Sequence, residues 1–299
     1  MNDRERSSWR SPALGERRTL DLAGGRLDVY ESGQGSPIVF VHGLLVNANL
    51  WRKVVEPLAA DFRCIAIDMP LGSHRQPVGP GNDLSPPSIA ALIGQALEAL
   101  DLEDVTLVGN DTGGALCQMA VTSDSERIGR LVLTSCDFRD NFPPKAFVPL
   151  KTAVKAPGAV QAILGSLRPR APRRLPLAFG WLTKRPIDPD AEDSYIFPSL
   201  VHAGIRADLR AALPQIDTSY TNAAADKLSG FHKPALIAWA TEDKFFPPSH
   251  AEELARLLPD SRLEWIDDTY TFSPEDQPHR LAELIAGFVR EPARARVAA

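Results

Sequence analysis

The sequence predicts an α/β protein built on a mostly parallel, doubly wound sheet, with a block of helices inserted late in the chain. Three observations lead there. Short apolar runs of strand length, such as Pro37-Ile38-Val39-Phe40-Val41 and Pro234-Ala235-Leu236-Ile237-Ala238-Trp239-Ala240, alternate with longer helix-like stretches; parallel neighbours are joined only by crossovers, and strands covered on both faces read as continuous apolar runs. The alternation stops between residues 138 and 230, where prolines and helical fragments replace strands. Finally, the strand Val105-Thr106-Leu107-Val108 enters the turn Gly109-Asn110-Asp111-Thr112-Gly113 and then a helix. Small residues flanking one polar side chain suit a sharp strand-to-helix turn that pushes that side chain into the open.

Taken in order, residues 1–18 are dense in charge, lack the apolar stretch of a signal peptide and read as a flexible segment. Residues 19–33 suggest two strands meeting at Gly24-Gly25. The run 37–41 ends at His42-Gly43; residues 50–60 read as a helix and Arg63-Cys64-Ile65-Ala66-Ile67-Asp68 as a second buried strand. A loop rich in Pro and Gly, 69–87, leads to a helix at 88–102, then the strand and helix around Asp111, then a strand at 130–135. The core is thereby divided into 19–137 and 231–290 by a helical cap at 138–230. After the strand at 234–240 come a helix from Ser249, a last strand at 262–266 and a helix from Glu275 to Arg290, leaving 291–299 as a flexible tail.

Composition narrows the function classes. A chain of 299 residues with 44% hydrophobic content suits one large domain carrying an insertion. A net charge of −5 gives no reason to expect nucleic acid, and no apolar run nears the roughly 20 residues that span a bilayer. Cys64, Cys117 and Cys136 lie in or beside apolar runs without metal-type spacing, which points to reduced core cysteines, a cytoplasmic protein and no metal. No phosphate-cradling pattern is present, so no cofactor is expected. The expected partner is a small-molecule substrate, the chain acting as a monomer or homodimer without membrane or nucleic acid. Residues 141–187 hold nine Lys or Arg and no Asp or Glu: a solvated face, a funnel for anionic substrate, or a contact surface.

Ligands of open α/β sheets bind beyond the carboxyl ends of the strands. Residues just after a strand are therefore the candidates, and three are carboxylates: Asp111, Asp137 and Asp243. Asp111 reads either as a nucleophile or as the N-cap of its helix, and Asp137 either as a site residue or as a turn residue. Close carboxylates raise one another's pKa, so one of the group can act as an acid or as a base near neutral pH.

The order of His42-Gly43 after a strand, Asp111 in a sharp turn, an inserted helical cap, Asp243 four residues before Pro247 and a late Phe-x-x-x-Asp-x-Pro resembles the α/β-hydrolase family over nearly the whole chain. An Asp in the nucleophile elbow is similar to the haloalkane dehalogenase and epoxide hydrolase branch. The resemblance implies that Asp111 attacks carbon to form an alkyl ester, that the Leu44 and Thr112 amides form the oxyanion hole with His42 and Gly43 shaping its loop, and that Asp243 orients a histidine that activates water. Some dehalogenases place the triad acid where Asp137 stands.

That histidine is absent. The family pattern His-Phe-x-x-x-Asp-x-Pro here reads Thr271-Phe272-Ser273-Pro274-Glu275-Asp276-Gln277-Pro278, and a threonine hydroxyl cannot take a proton near neutral pH. His232 precedes a strand and lies at the wrong end of the sheet, His250 and His279 fall on helices expected to face solvent, and His74 and His202 remain as candidate bases. The halide-holding residues of dehalogenases are replaced by Thr112 and Leu44, whereas Tyr195 and Tyr220 in the cap and Tyr270 beside Thr271 are phenols of the kind with which epoxide hydrolases protonate a leaving oxygen. Tyr195, Tyr220, Tyr270 and Phe272 are accordingly expected in the substrate pocket. The reading is an α/β-fold hydrolase acting on a small, mostly apolar substrate through Asp111, with Asp243, Thr271 and Asp137 assisting. A lyase or isomerase using the carboxylate group, or a ligand-binding protein without turnover, are the alternatives.

Overall fold

The computed structural model describes residues 1–291. Strands β1 (Glu16–Leu22), β2 (Gly25–Ser32), β3 (Ser36–Val41), β4 (Phe62–Asp68), β5 (Val105–Asp111), β6 (Ile128–Cys136), β7 (Ala235–Ala240) and β8 (Ser261–Ile266) form one sheet. Its order is β1-β2-β4-β3-β5-β6-β7-β8. β2 pairs antiparallel with β1 and β4, and every pairing from β4 to β8 is parallel. This is the α/β-hydrolase fold. The apolar runs mark its centre: Ile38, Val39, Phe40 and Val41 of β3 and all of β7 are buried, as strands covered by helices on both faces must be.

Before β5 the helices are α1 (Asp3–Ser8), α2 (Arg52–Leu58) and α3 (Pro86–Ala99), and α4 (Thr112–Ser123) follows it. Between β6 and β7 run α5 (Val148–Ala153), α6 (Ala159–Gly165), α7 (Pro189–Val201), α8 (Ala203–Ala212) and α9 (Thr218–Ala225). The chain closes with α10 (Pro248–Leu257), α11 (Ser273–Asp276) and α12 (Pro278–Arg290). α2 packs on α12, and α3 on α4. No helix among the described residues is long and apolar enough to cross a membrane.

Three elements differ from expectation. The first residues are not a loose segment: Asn2 and Glu5 form a capping box for α1, α1 packs on α7, the buried Arg10 guanidinium meets Asp68 at 2.8 Å, and Leu14 is fully buried. Charge density in this stretch marks caps and ion pairs rather than disorder. The helix expected at 50–60 begins as a 3₁₀ turn, Ala48–Trp51, before α2. The last helix is broken in two, because Gln277 precedes Pro278 and is held out of the helical region at φ −132°, ψ 50°. The expected tail lies, apart from Glu291, outside the described residues.

The crossing of α4 over β3 depends on the absence of one side chain. A Cβ on Gly113 would sit 2.3 Å from the Val41 carbonyl oxygen and 2.6 Å from that of His42. Gly113→Ala is therefore expected to cost about 1–3 kcal/mol through overpacking, whereas Gly287→Ala, where a Cβ meets nothing within 4 Å, should be neutral or slightly stabilising. Urea unfolding of the two variants checks the contrast.

Candidate active site

Asp111 closes β5 with φ +55° and ψ −132°, a conformation that costs an L-residue about 1–3 kcal/mol and persists only when its surroundings enforce it. They do. Gly43 lies so close that a Cβ there would be 2.0 Å from Asp111 Oδ2, and β3 and α4 meet at Gly113 just beyond. The Asp111 carboxylate makes no side-chain capping bond to α4. The backbone N–H groups of Thr112, the first residue of α4, and of Leu44 act on that carboxylate and favour its charged form.

Two further carboxylates stand behind it. Asp243 Oδ1 accepts the N–H groups of Phe245 and Phe246 at 2.8 and 2.9 Å and the Thr271 hydroxyl at 3.0 Å. Asp137 accepts the Thr112 hydroxyl at 3.1 Å, and its Oδ1 is buried without a partner. The segment carrying Thr271 is fixed at several points. Asn110 Nδ2 donates to the Thr271 carbonyl at 2.8 Å, the Phe272 N–H donates to the Leu182 carbonyl at 2.8 Å, and Asp276 accepts the N–H groups of Lys184 and Arg185. Arg52 engages Glu275 through both guanidinium nitrogens, and Lys53 reaches it at 2.9 Å. Thr271 is thus held as a hydrogen-bond donor to Asp243.

In front of Asp111 lies a cavity of about 280 Å³ walled mostly by carbon, including Leu44, Leu45, Phe147, Leu164, Phe179, Leu182 and Phe245. Asp111 is the one carboxylate on this wall, and Thr112 and Tyr195 are its other polar residues. Several expected site residues lie elsewhere. Asp137, Asp243 and Thr271 sit behind the wall rather than on it. Phe272 is fully buried in the core. The Tyr270 ring stacks under the Lys184 and Lys244 ammonium groups, 5.5 and 4.8 Å from its centroid, which draws it toward solvent. Tyr220 lies on α9, which packs against α4 rather than over the cavity. The sequence reading missed the aromatic pair Phe245-Phe246. Its position two residues after Asp243 on the ligand-binding edge was the available signal. It also missed Asn110, whose buried amide was hidden as an ordinary turn residue.

No histidine lines the cavity among the described residues. His42 is buried, with Nδ1 against the Gly43 carbonyl at 2.8 Å and Nε2 accepting the Met69 N–H at 2.8 Å; burial lowers its pKa to about 4, so it is neutral and already engaged. His74 pairs with Asp208 at 3.0 Å and His202 with Ser7 at 3.1 Å, and neither ring lines the cavity, which removes both candidate bases. His250 is half-buried against the Phe138 ring instead of facing solvent freely.

Burial dominates the electrostatics. It raises Asp111 to about 7, with the Thr112 and Leu44 amides pulling it down and the Asp243 charge pushing it up. Burial raises Asp137 well above the carboxylate range, aided by Asp111. Burial also raises Asp243, and the amides of Phe246 and Phe245 and the Thr271 hydroxyl offset part of that. An Asp poised near 7 can be a nucleophile or a proton carrier at neutral pH, and the amides facing it stabilise negative charge on its oxygens.

The raised Asp111 value fixes a sign. The unfolded chain loses this proton near pH 4 while the folded chain keeps it to about 7, so the group's stabilising contribution is whole below pH 4 and falls away as pH rises to about 7. Asp111→Asn keeps an acceptor oxygen and carries no charge. Its melting temperature should exceed that of the native protein by several degrees at pH 8 and converge with it near pH 4, as thermal melts across this range will show.

A family model of the α/β hydrolase fold matches residues 36–165. Haloalkane dehalogenase 2 of Mycobacterium tuberculosis is 26% identical over 280 residues, covering 90% of this chain and 93% of its own. Uncharacterized hydrolase YugF of Bacillus subtilis is 25% identical over 289 residues, covering 92% and 97%. Among solved structures, haloalkane dehalogenase DatA of Agrobacterium tumefaciens superposes with a TM-score of 0.77 at 21% identity, covering 94% of this chain and 99% of that one. The chain has the α/β-hydrolase fold and counts haloalkane dehalogenases among its relatives at modest identity.

Proposed function

We propose that this protein is a hydrolase that acts on a small, mostly apolar organic substrate through Asp111, in the manner of epoxide hydrolases and haloalkane dehalogenases, with a triad that lacks its histidine. The observation that carries this reading is the placement of a single carboxylate, faced by two backbone amides, at the end of a carbon-walled cavity. An ionised Asp111 oxygen attacks an sp³ carbon and forms the C–O bond of an alkyl ester as the leaving group departs with its electron pair. A halide leaves as the ion. An epoxide oxygen needs a proton, and Tyr195 is the phenol on the wall. The Thr112 and Leu44 amides then face the ester carbonyl and stabilise the oxyanion formed when water attacks it.

The second half of the cycle is the slow one. Water attacking the ester must give up a proton, and the nearby Asp243 is engaged by two amides and the Thr271 hydroxyl. The ester should therefore accumulate. Incubation with a short alkyl bromide or an aryl epoxide is expected to add the substrate's mass (less the halide, for the bromide) to the Asp111 peptide. Adduct formation should quicken as pH rises through about 7, the value at which Asp111 ionises, and be absent in Asp111→Asn. Thr271→His places an imidazole beside Asp243 and should shorten the adduct's lifetime at least tenfold. An Asp111 peptide left unmodified by every electrophile tried would sink the covalent reading.

One observation favours a second reading. A carboxyl poised near 7 on a wall without imidazole suits proton transfer, as in an isomerase or lyase that needs no activated water. Turnover in ¹⁸O-labelled water separates the two, since only hydrolysis places solvent oxygen in product or in Asp111.

A further inference from the structure

We propose that the face of the cap around the cavity mouth docks on an anionic lipid surface. The proposal holds whatever reaction Asp111 performs. Of the large hydrophobic side chains exposed among the described residues, five fall between residues 148 and 181: Val148 (48% exposed), Ile163 (37%), Leu175 (59%), Leu177 (57%) and Trp181 (42%). They are gathered at one place. Ile163 and Leu177 also line the cavity, the Trp181 ring lies 6.1 Å from that of Phe245, and Phe245 lies 5.1 Å from Phe147, the neighbour of Val148. Phe147 and Phe245 are themselves cavity wall. The cavity therefore opens within an apolar patch, where a monomeric protein in water gains nothing by exposing it.

The segment that carries the patch bears charge of one sign, while carboxylates of other segments approach it at a few places: Asp140 and Glu253 near Lys145, and Asp217 near Lys151. Residues 141–187 carry nine of the chain's 33 basic residues and none of its 38 acidic ones. Ion pairs inside the protein account for some: Arg173 with Glu192 and Asp193, Lys184 with Glu242 and Asp268, Arg185 with Asp268, and Arg168 with Asp3. Lys145, Lys151, Lys155, Arg170 and Arg174 pair with no carboxylate among the described residues. Lys145 sits between the wall residues Pro144 and Ala146, Lys151 follows the wall residue Leu150, and Arg174 precedes Leu175. Protruding Leu and Trp on a segment that also carries unpaired Lys and Arg is the pattern of a surface that seats its carbon among acyl chains and its cations among anionic headgroups. No spanning helix is required. An apolar substrate dissolved in the leaflet then enters the cavity without crossing water.

Co-sedimentation of the full chain with vesicles tests this. Binding is expected to vesicles of phosphatidylcholine mixed with phosphatidylglycerol, much less to phosphatidylcholine alone, and to weaken between about 0.1 and 1 M salt as the Debye length shrinks from about 10 to about 3 Å. Leu175→Asp with Trp181→Ser, and separately Lys151→Glu with Lys155→Glu, should each lower partition at least tenfold. Circular dichroism and thermal melts of both pairs check that they fold; in the second pair Lys155 is exposed and Lys151 half-buried. Absence of binding to anionic vesicles at low salt would overturn the proposal. So would binding unchanged by both pairs, or light scattering that shows a dimer in the native protein converted to a monomer by Leu175→Asp with Trp181→Ser, which would make this face a contact between copies.

Discussion

The backbone at Asp111 is the constraint on which the site depends. A positive φ at a non-glycine residue is held only because β3, β5 and α4 converge so tightly that Gly43 and Gly113 have no room for a side chain. That convergence brings the Leu44 and Thr112 amides to one carboxylate. Sheet order does the rest: β5 lies between β3 and β6, so the loops that follow these strands meet at one edge.

Burial then sets the chemistry. A carboxylate walled by Leu and Phe and facing the Asp243 charge keeps its proton far longer than in water, and the two amides stop the shift near 7 rather than letting it run on. The same wall excludes water, which suits attack on carbon and works against completing hydrolysis. Asn110, Arg52 and Glu275 hold the segment around Thr271 in place although no imidazole is there to be positioned.

The sheet was legible in the sequence because each central strand is a short apolar run ended by a turn, and Asp111 was legible because glycines bracket it. What escaped has physical reasons. The capping box at Asn2 and the Arg10–Asp68 pair look, in one dimension, like a charged loose end. Tyr220 and Tyr270 share a composition with pocket residues, but direction is a tertiary property: one lies on a helix packed against α4, the other is drawn outward by two ammonium groups. Asp137 follows a strand on the correct edge and yet stands behind Thr112, since a helix start separates it from the cavity. The cap's aromatic wall left no periodic signal because its short helices are broken by prolines. The basic run was visible, and its relation to exposed Leu175, Leu177 and Trp181 needed coordinates.

Infrared difference spectroscopy reads the central feature directly. The carboxyl C=O band present in the native protein and missing from Asp111→Asn, followed across pH, reports the ionisation of the Asp111 site. A midpoint near 7 is expected if this carboxylate is buried at the end of a carbon-walled cavity and held by two amides; a midpoint near 4 would show an ordinary solvated aspartate and contradict the site as described.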